Sequence, residues 1–140
     1  MTSEKKVKLI IGIGVTAFVV VQTGVAWGFY LSHFGRIVSS LDIQMENVAH
    51  RVVLRERCFD PVNAVLDRVT PGQQGDYEYW TELYRGKSLV ATSDRENWGG
   101  DTSYPHAIIR NADSTGVTVD LEGQGPKPDL NRFEWRSQPK

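Results

Sequence analysis

The sequence predicts an α+β chain. An N-terminal transmembrane helix continues into an amphipathic helix, and a small antiparallel β domain of about four to five strands follows. Three observations carry this expectation. Residues 7–30 read VKLIIGIGVTAFVVVQTGVAWGFY, with Lys8 as the one charge and Gln22 the one strongly polar side chain inside. Residues 34–57 contain no proline and set Val38, Leu41, Met45, Val48 and Val52 at 3-4-3-4 spacing. After Gly75 the texture changes to short alternating runs.

The first element is a rod for lipid. A helix of about 24 residues at ~1.5 Å each is roughly 36 Å long, enough to cross a hydrocarbon core of ~30 Å with some tilt. Backbone groups in lipid find no water, so such a run must satisfy its own hydrogen bonds as a helix. Trp27, Phe29 and Tyr30 close it as an interfacial aromatic belt. The apolar run exceeds the ~7–15 residues of a signal peptide core, which points to an uncleaved signal anchor at residues 7–31. Ala17, Val21, Gly24 and Gly28 share one face, the last two as a GxxxG pair suited to close helix packing in the membrane. In the tail, residues 1–6, and at the start of the span, Glu4 stands against Lys5, Lys6 and Lys8, leaving +2. The whole chain is at −1, so the remainder carries −3. Lysines at the first end favour a cytoplasmic N-terminus and a periplasmic or extracellular C-terminal domain, against which Arg36 beyond the other end weighs slightly. The acidic remainder argues against a nucleic-acid partner.

Residues 32–59 read as the helical extension. Val38, Leu41, Met45, Val48 and Val52 form a seam of about two and a half heptads, to be buried on a second chain or on the chain's own C-terminal domain. Asp60-Pro61 ends it, because the residue before proline is pushed out of helical geometry. Asp60 then caps a short helix, and residues 60–72 comprise that helix and a Pro-Gly turn.

Residues 73–140 form the β domain. Over residues 77–84, Tyr77, Tyr79, Thr81 and Leu83 alternate with Glu78, Trp80, Glu82 and Tyr84. Arg85-Gly86-Lys87 turns this strand into residues 88–93 as a hairpin. A second hairpin joins residues 106–110 to 116–121, and residues 131–136 supply a last strand. Five short strands are a marginal domain, so packing on the helices is expected to complete the core.

Chemistry is sparse. His33, His50 and His106 lie far apart and no metal-ligand spacing occurs. No nucleophile elbow or phosphate-binding glycine loop is present, so no catalytic residues, metal or cofactor are expected. The single cysteine, Cys58, either pairs between chains or stays as a small apolar core residue. Glu78 and Glu82 flank Trp80, an arrangement that suits either a salt-bridged strand face or sugar binding. The loop 94–106 sets Trp98, Asp101, Tyr104 and His106 among glycines, as a candidate recognition loop. The expected partners are membrane lipid, other membrane proteins of a complex, and the chain itself in a homo-oligomer. The function expected is that of a non-catalytic accessory or structural subunit of an envelope or membrane assembly. Two alternatives stand beside it: a small anchored hydrolase of cell-wall or glycan material, and a structural subunit of a pilus-like filament or a virion membrane. The layout of apolar helix, extension and small sheet resembles that of type IV pilins and pseudopilins. The likeness is one of layout alone: those proteins place a glutamate a few residues into the apolar run, whereas here Glu4 precedes the lysines and Lys8 opens the span.

Overall fold

The structure is a computed structural model, which describes residues 2–60, 62, 65, 77–97, 106–123, 125–127 and 129–137. It has one long helix and two antiparallel sheets, in keeping with the expected α+β class. Helix α1 runs Ser3–Phe34 and is followed by strands β1 (Arg36–Met45), β2 (Val48–Cys58), β3 (Tyr77–Arg85), β4 (Ser88–Thr92), β5 (Ile108–Ala112), β6 (Gly116–Asp120), β7 (Leu130–Glu134) and β8 (Arg136–Ser137). The first sheet has the order β1-β2-β3-β4-β8, with β8 a two-residue edge; the second has the order β5-β6-β7.

α1 starts inside the polar tail, where Lys8 pairs with Glu4 at 2.7 Å one turn away. It stops at Gly35, whose N–H donates to the Leu31 carbonyl at 2.9 Å. Gly35 has φ +69°, a conformation costly for a residue with a Cβ, and a Cβ there would meet the Glu56 carbonyl oxygen at 2.6 Å and the Trp80 ring at 2.7 Å.

The helical extension over residues 32–59 is therefore corrected: residues 36–58 form the β1–β2 hairpin. Its pairing runs from Arg36↔Glu56 to Met45↔Val48 around a two-residue turn, Glu46 and Asn47, both at positive φ as a type I′ turn requires. The seam residues are strand residues. Leu41 pairs with Val52 and Met45 with Val48, which puts these four on one face of the sheet. Val38 is the extra residue of a β-bulge and also packs on the core. The stripe is strand and not helix: Val52 is buried, and Val38, Leu41 and Met45 are partly buried against the chain's own core.

The later strands follow the expected hairpins, and residues 131–136 divide between β7 and β8. Between the sheets lies the core. Val52, Leu54, Tyr79 and Leu83 from the first sheet pack with Val117, Val119 and Phe133 from the second. The Ile109 N–H donates to Ser39 Oγ at 3.3 Å and ties the second sheet to β1. Asp60 Oδ1 accepts the Val62 N–H at 2.8 Å; the short helix and turn expected over residues 60–72 lie mostly outside the described residues.

Candidate functional site: a charged sheet face and the helix–sheet joint

Alternation sends every second side chain of β2 and β3 away from the core. On that outer face β2 presents Arg51, Val53, Arg55 and Arg57, and β3 presents Glu78, Trp80, Glu82 and Tyr84. Register places Arg57 opposite Glu78, and Arg55 opposite Trp80 and diagonal to Glu82. Arg57 Nη2 donates to Glu78 Oε2 at 2.6 Å, and Arg55 Nε donates to Glu82 Oε2 at 2.6 Å. Arg95 adds a third guanidinium, 3.5 Å from Glu78 and stacked 4.7 Å above the Trp80 ring.

Glu82 is the hub. It also accepts Trp80 Nε1–H at 2.9 Å and the Tyr84 hydroxyl at 2.7 Å. Burial alone raises its pKa, but the bonds from Trp80, Tyr84 and Arg55 outweigh burial and hold the carboxyl below its ordinary value. Burial acts on Tyr84 and, with its bond to Glu82, pushes the phenol up. A carboxylate held ionised by three donors is a poor proton donor near neutrality.

A second cluster sits where α1 meets the sheet. Glu56 is 3% exposed on the inner face of β2. Arg36 reaches it through Nε at 2.7 Å and Nη2 at 2.6 Å, and the Tyr79 hydroxyl donates to its other oxygen. The chain thus ties Arg36, the first residue of β1, to β2 and β3. Gly28 and Leu31 are the buried residues of α1, and the last turns of the helix contact β2.

The second sheet has its own anchors. Asp120, fully buried, accepts Arg110 Nε at 2.8 Å and the N–H groups of Glu122 and Gly123 at 3.1 and 3.0 Å. The Arg110 bond is the largest influence holding its carboxyl below the usual range. Asp113 is held low chiefly by the Thr115 hydroxyl, with the Thr115 N–H and Arg132 adding to it.

The sequence-predicted residues scatter. Ala17 and Val21 are exposed on α1, a Cβ at Gly24 would meet open space, and Gly28 is covered by the chain itself. Trp98, Asp101 and Tyr104 of the candidate recognition loop lie outside the described residues. His106 is exposed at the turn into β5, in the second sheet, whereas Glu78 and Glu82 point outward from the first. Cys58 is buried opposite Tyr77 at the end of β2, where a disulfide to a second chain would require the strand end to open. Among the described residues no group of three or more His, Cys, Asp or Glu is placed to hold a metal ion. Arg36, Arg55, Arg57 and Glu56 escaped the sequence reasoning because they lay in residues assigned to a helix. The alternation of Leu41-Asp42-Ile43-Gln44-Met45 was the signal that could have found them.

Comparison of the chain with protein-family models, curated proteins and solved structures finds no match. Among the described residues one helix, Ser3–Phe34 near the N-terminus, is long and apolar enough to cross a membrane.

Proposed function

We propose that the chain is a single-pass membrane protein with a cytoplasmic N-terminus, whose two-sheet domain serves on the far side as a non-catalytic accessory or structural subunit of a membrane protein assembly. The observation that carries this is α1 itself. None of its most apolar 18-residue window is buried by the chain, so Ile10, Phe18, Val20 and their neighbours face outward all round the helix. A rod that is apolar on every side is stable only when lipid or other apolar helices surround it. Lys5, Lys6 and Lys8 support the orientation. The joint at Gly35, Arg36 and Glu56 supports a domain held in a set pose by its anchor, as docking on neighbours demands.

The test is extraction of the tagged full chain in mild detergent, then size exclusion with light scattering and mass spectrometry of co-eluting proteins. A defined complex with other membrane proteins, or a homo-oligomer of fixed copy number, is expected. A monomer with no partner would sink the subunit reading.

A further inference from the structure

Resting on the membrane-anchored reading, we infer that the helix-joined end of the first sheet is itself a lipid-contacting surface, seated in the headgroup layer of the membrane that α1 spans. Beyond α1, the exposed large apolar side chains among the described residues are Ile37, Phe59, Val62, Leu89, Val90 and Leu130. Half of these fall at one end. Arg36 pairs with Glu56 at the start of the β1–β2 ladder, so Ile37 is one residue from the joint. Phe59 lies three residues past Glu56, just beyond the end of β2, and Val62 follows it in sequence. Ile37, Phe59 and Val62 are 57%, 48% and 64% exposed, and Phe34 at the helix terminus is 54% exposed. The opposite end of the same sheet is closed by the polar turn Glu46-Asn47 and by Gly86-Lys87, beside which Leu89 and Val90 are less exposed, at 40% and 38%.

Depth identifies the occupant. Trp27 and Tyr30 stack on each other at 5.9 Å and mark the expected interfacial belt. Phe34 is one turn further on, about 6 Å along the axis. Each headgroup layer is about 5–7 Å thick, so the helix terminus emerges within it. The domain does not stand off from that level on a linker: Gly28 and Leu31, flanking Tyr30 on the helix, are buried, β2 contacts α1, and the Glu56 backbone approaches Gly35 at the helix terminus. Aromatic and aliphatic side chains with nearby cations suit this zone, where one part of a residue is in hydrocarbon and the other is wet. Arg57 meets that need, with its guanidinium 4.5 Å above the Phe59 ring.

The experiment uses the full chain reconstituted in phosphatidylcholine–phosphatidylglycerol vesicles. A spin label is placed singly through Ile37→Cys, Phe59→Cys, Asn47→Cys, Lys87→Cys or Val20→Cys, with Cys58→Ala throughout. Collision with oxygen, which concentrates in lipid, is compared with collision with a water-soluble nickel chelate. The expected result is a loss of chelate access at 37 and 59 relative to 47 and 87, with 20 inaccessible to the chelate. Labels at 37 and 59 as open to the chelate as 47, while 20 stays protected, would overturn this inference and leave the anchor standing. Chelate access at 20 would overturn the anchor and the inference with it. Wild-type chain in vesicles carrying photoactivatable lipid provides a measurement without substitutions. Adducts are expected near residues 34–37 and 59–62 as well as in α1, and adducts confined to α1 would reject the proposed surface.

Discussion

The β1–β2 and β3–β4 hairpins lie in one sheet and each has a two-residue turn, Glu46-Asn47 and Gly86-Lys87, yet only the second shows its strands in its spacing. In β3 the two faces have separate chemistries: Tyr77, Tyr79, Thr81 and Leu83 point into the core, while Glu78, Glu82 and Tyr84 join the outer ion ladder. In β1–β2 two local features convert a period of two into an apparent heptad. The bulge at Val38 inserts one residue, so Val38 and Leu41 stand three apart while both pack on the core. The two-residue turn then separates Met45 from Val48 by three, although the two are directly paired. The remaining steps, 41 to 45 and 48 to 52, are two strand repeats each. A bulge and a tight turn therefore suffice to give a hairpin the 3-4-3-4 signature of a coiled-coil seam.

That comparison can be broken most forcefully where the two hairpins meet. Glu56→Ala removes the acceptor shared by Arg36 and Tyr79 at a buried joint. The expected loss is about 3–5 kcal/mol in denaturant unfolding of the full chain in detergent micelles. If the loss were under 1 kcal/mol, the joint would not be holding β1 against β2 and β3.

Ile43→Asp sharpens the choice between strand and helix. Ile43 lies off the heptad seam, but in the hairpin it shares the inner face with Leu41 and Met45 and packs against the core. A loss of about 1–3 kcal/mol is expected from placing a carboxylate there, read from the same unfolding curves. Gln44→Asp, one residue along on the exposed face, should change the midpoint little.

Acid separates the ladders by their carboxylates. Glu82, Asp113 and Asp120 have folded-state pKa values below their ordinary ones, so the unfolded chain takes up protons more readily than the folded chain. Their stabilisation is complete above the unfolded carboxylate range near pH ~4 and fades as pH falls through the lower folded values. A thermal-melt series below pH ~4 should therefore show falling stability. Asp113→Asn should make that acid limb shallower, and an unchanged limb would count against the Thr115 and Arg132 bonds as its source.

The smallest effect belongs to the β1–β2 turn. Replacing Glu46-Asn47 by Asn-Gly suits two positive-φ positions and should stabilise the chain by about 0.5–1 kcal/mol in the same unfolding assay. Destabilisation would argue against the type I′ geometry.

Of the candidate site, half was legible. Glu78 and Glu82 around Trp80 stood out by alternation alone, and their role as salt-bridging carboxylates was one of the two expectations for them. Their partners Arg55 and Arg57 were hidden, because which strand lies beside β3 depends on residues more than 20 positions away in sequence.

By itself the sequence determined what local chemistry decides. An apolar run of about 24 residues must be a helix wherever water is absent, and the β3 alternation has no other regular solution than a two-faced strand. The tertiary structure alone decided the rest. Position 35, where the chain leaves the helix at positive φ, requires glycine because the Glu56 carbonyl and Trp80 ring leave no room for a Cβ. Glu56 is inside because Arg36 and Tyr79 arrive from other strands to satisfy it. Residues 36–58 are strands because Val117, Val119 and Phe133 of a second sheet cover their inner face, and the burial of that pleated surface outweighs a helical spacing that a bulge and a turn had produced.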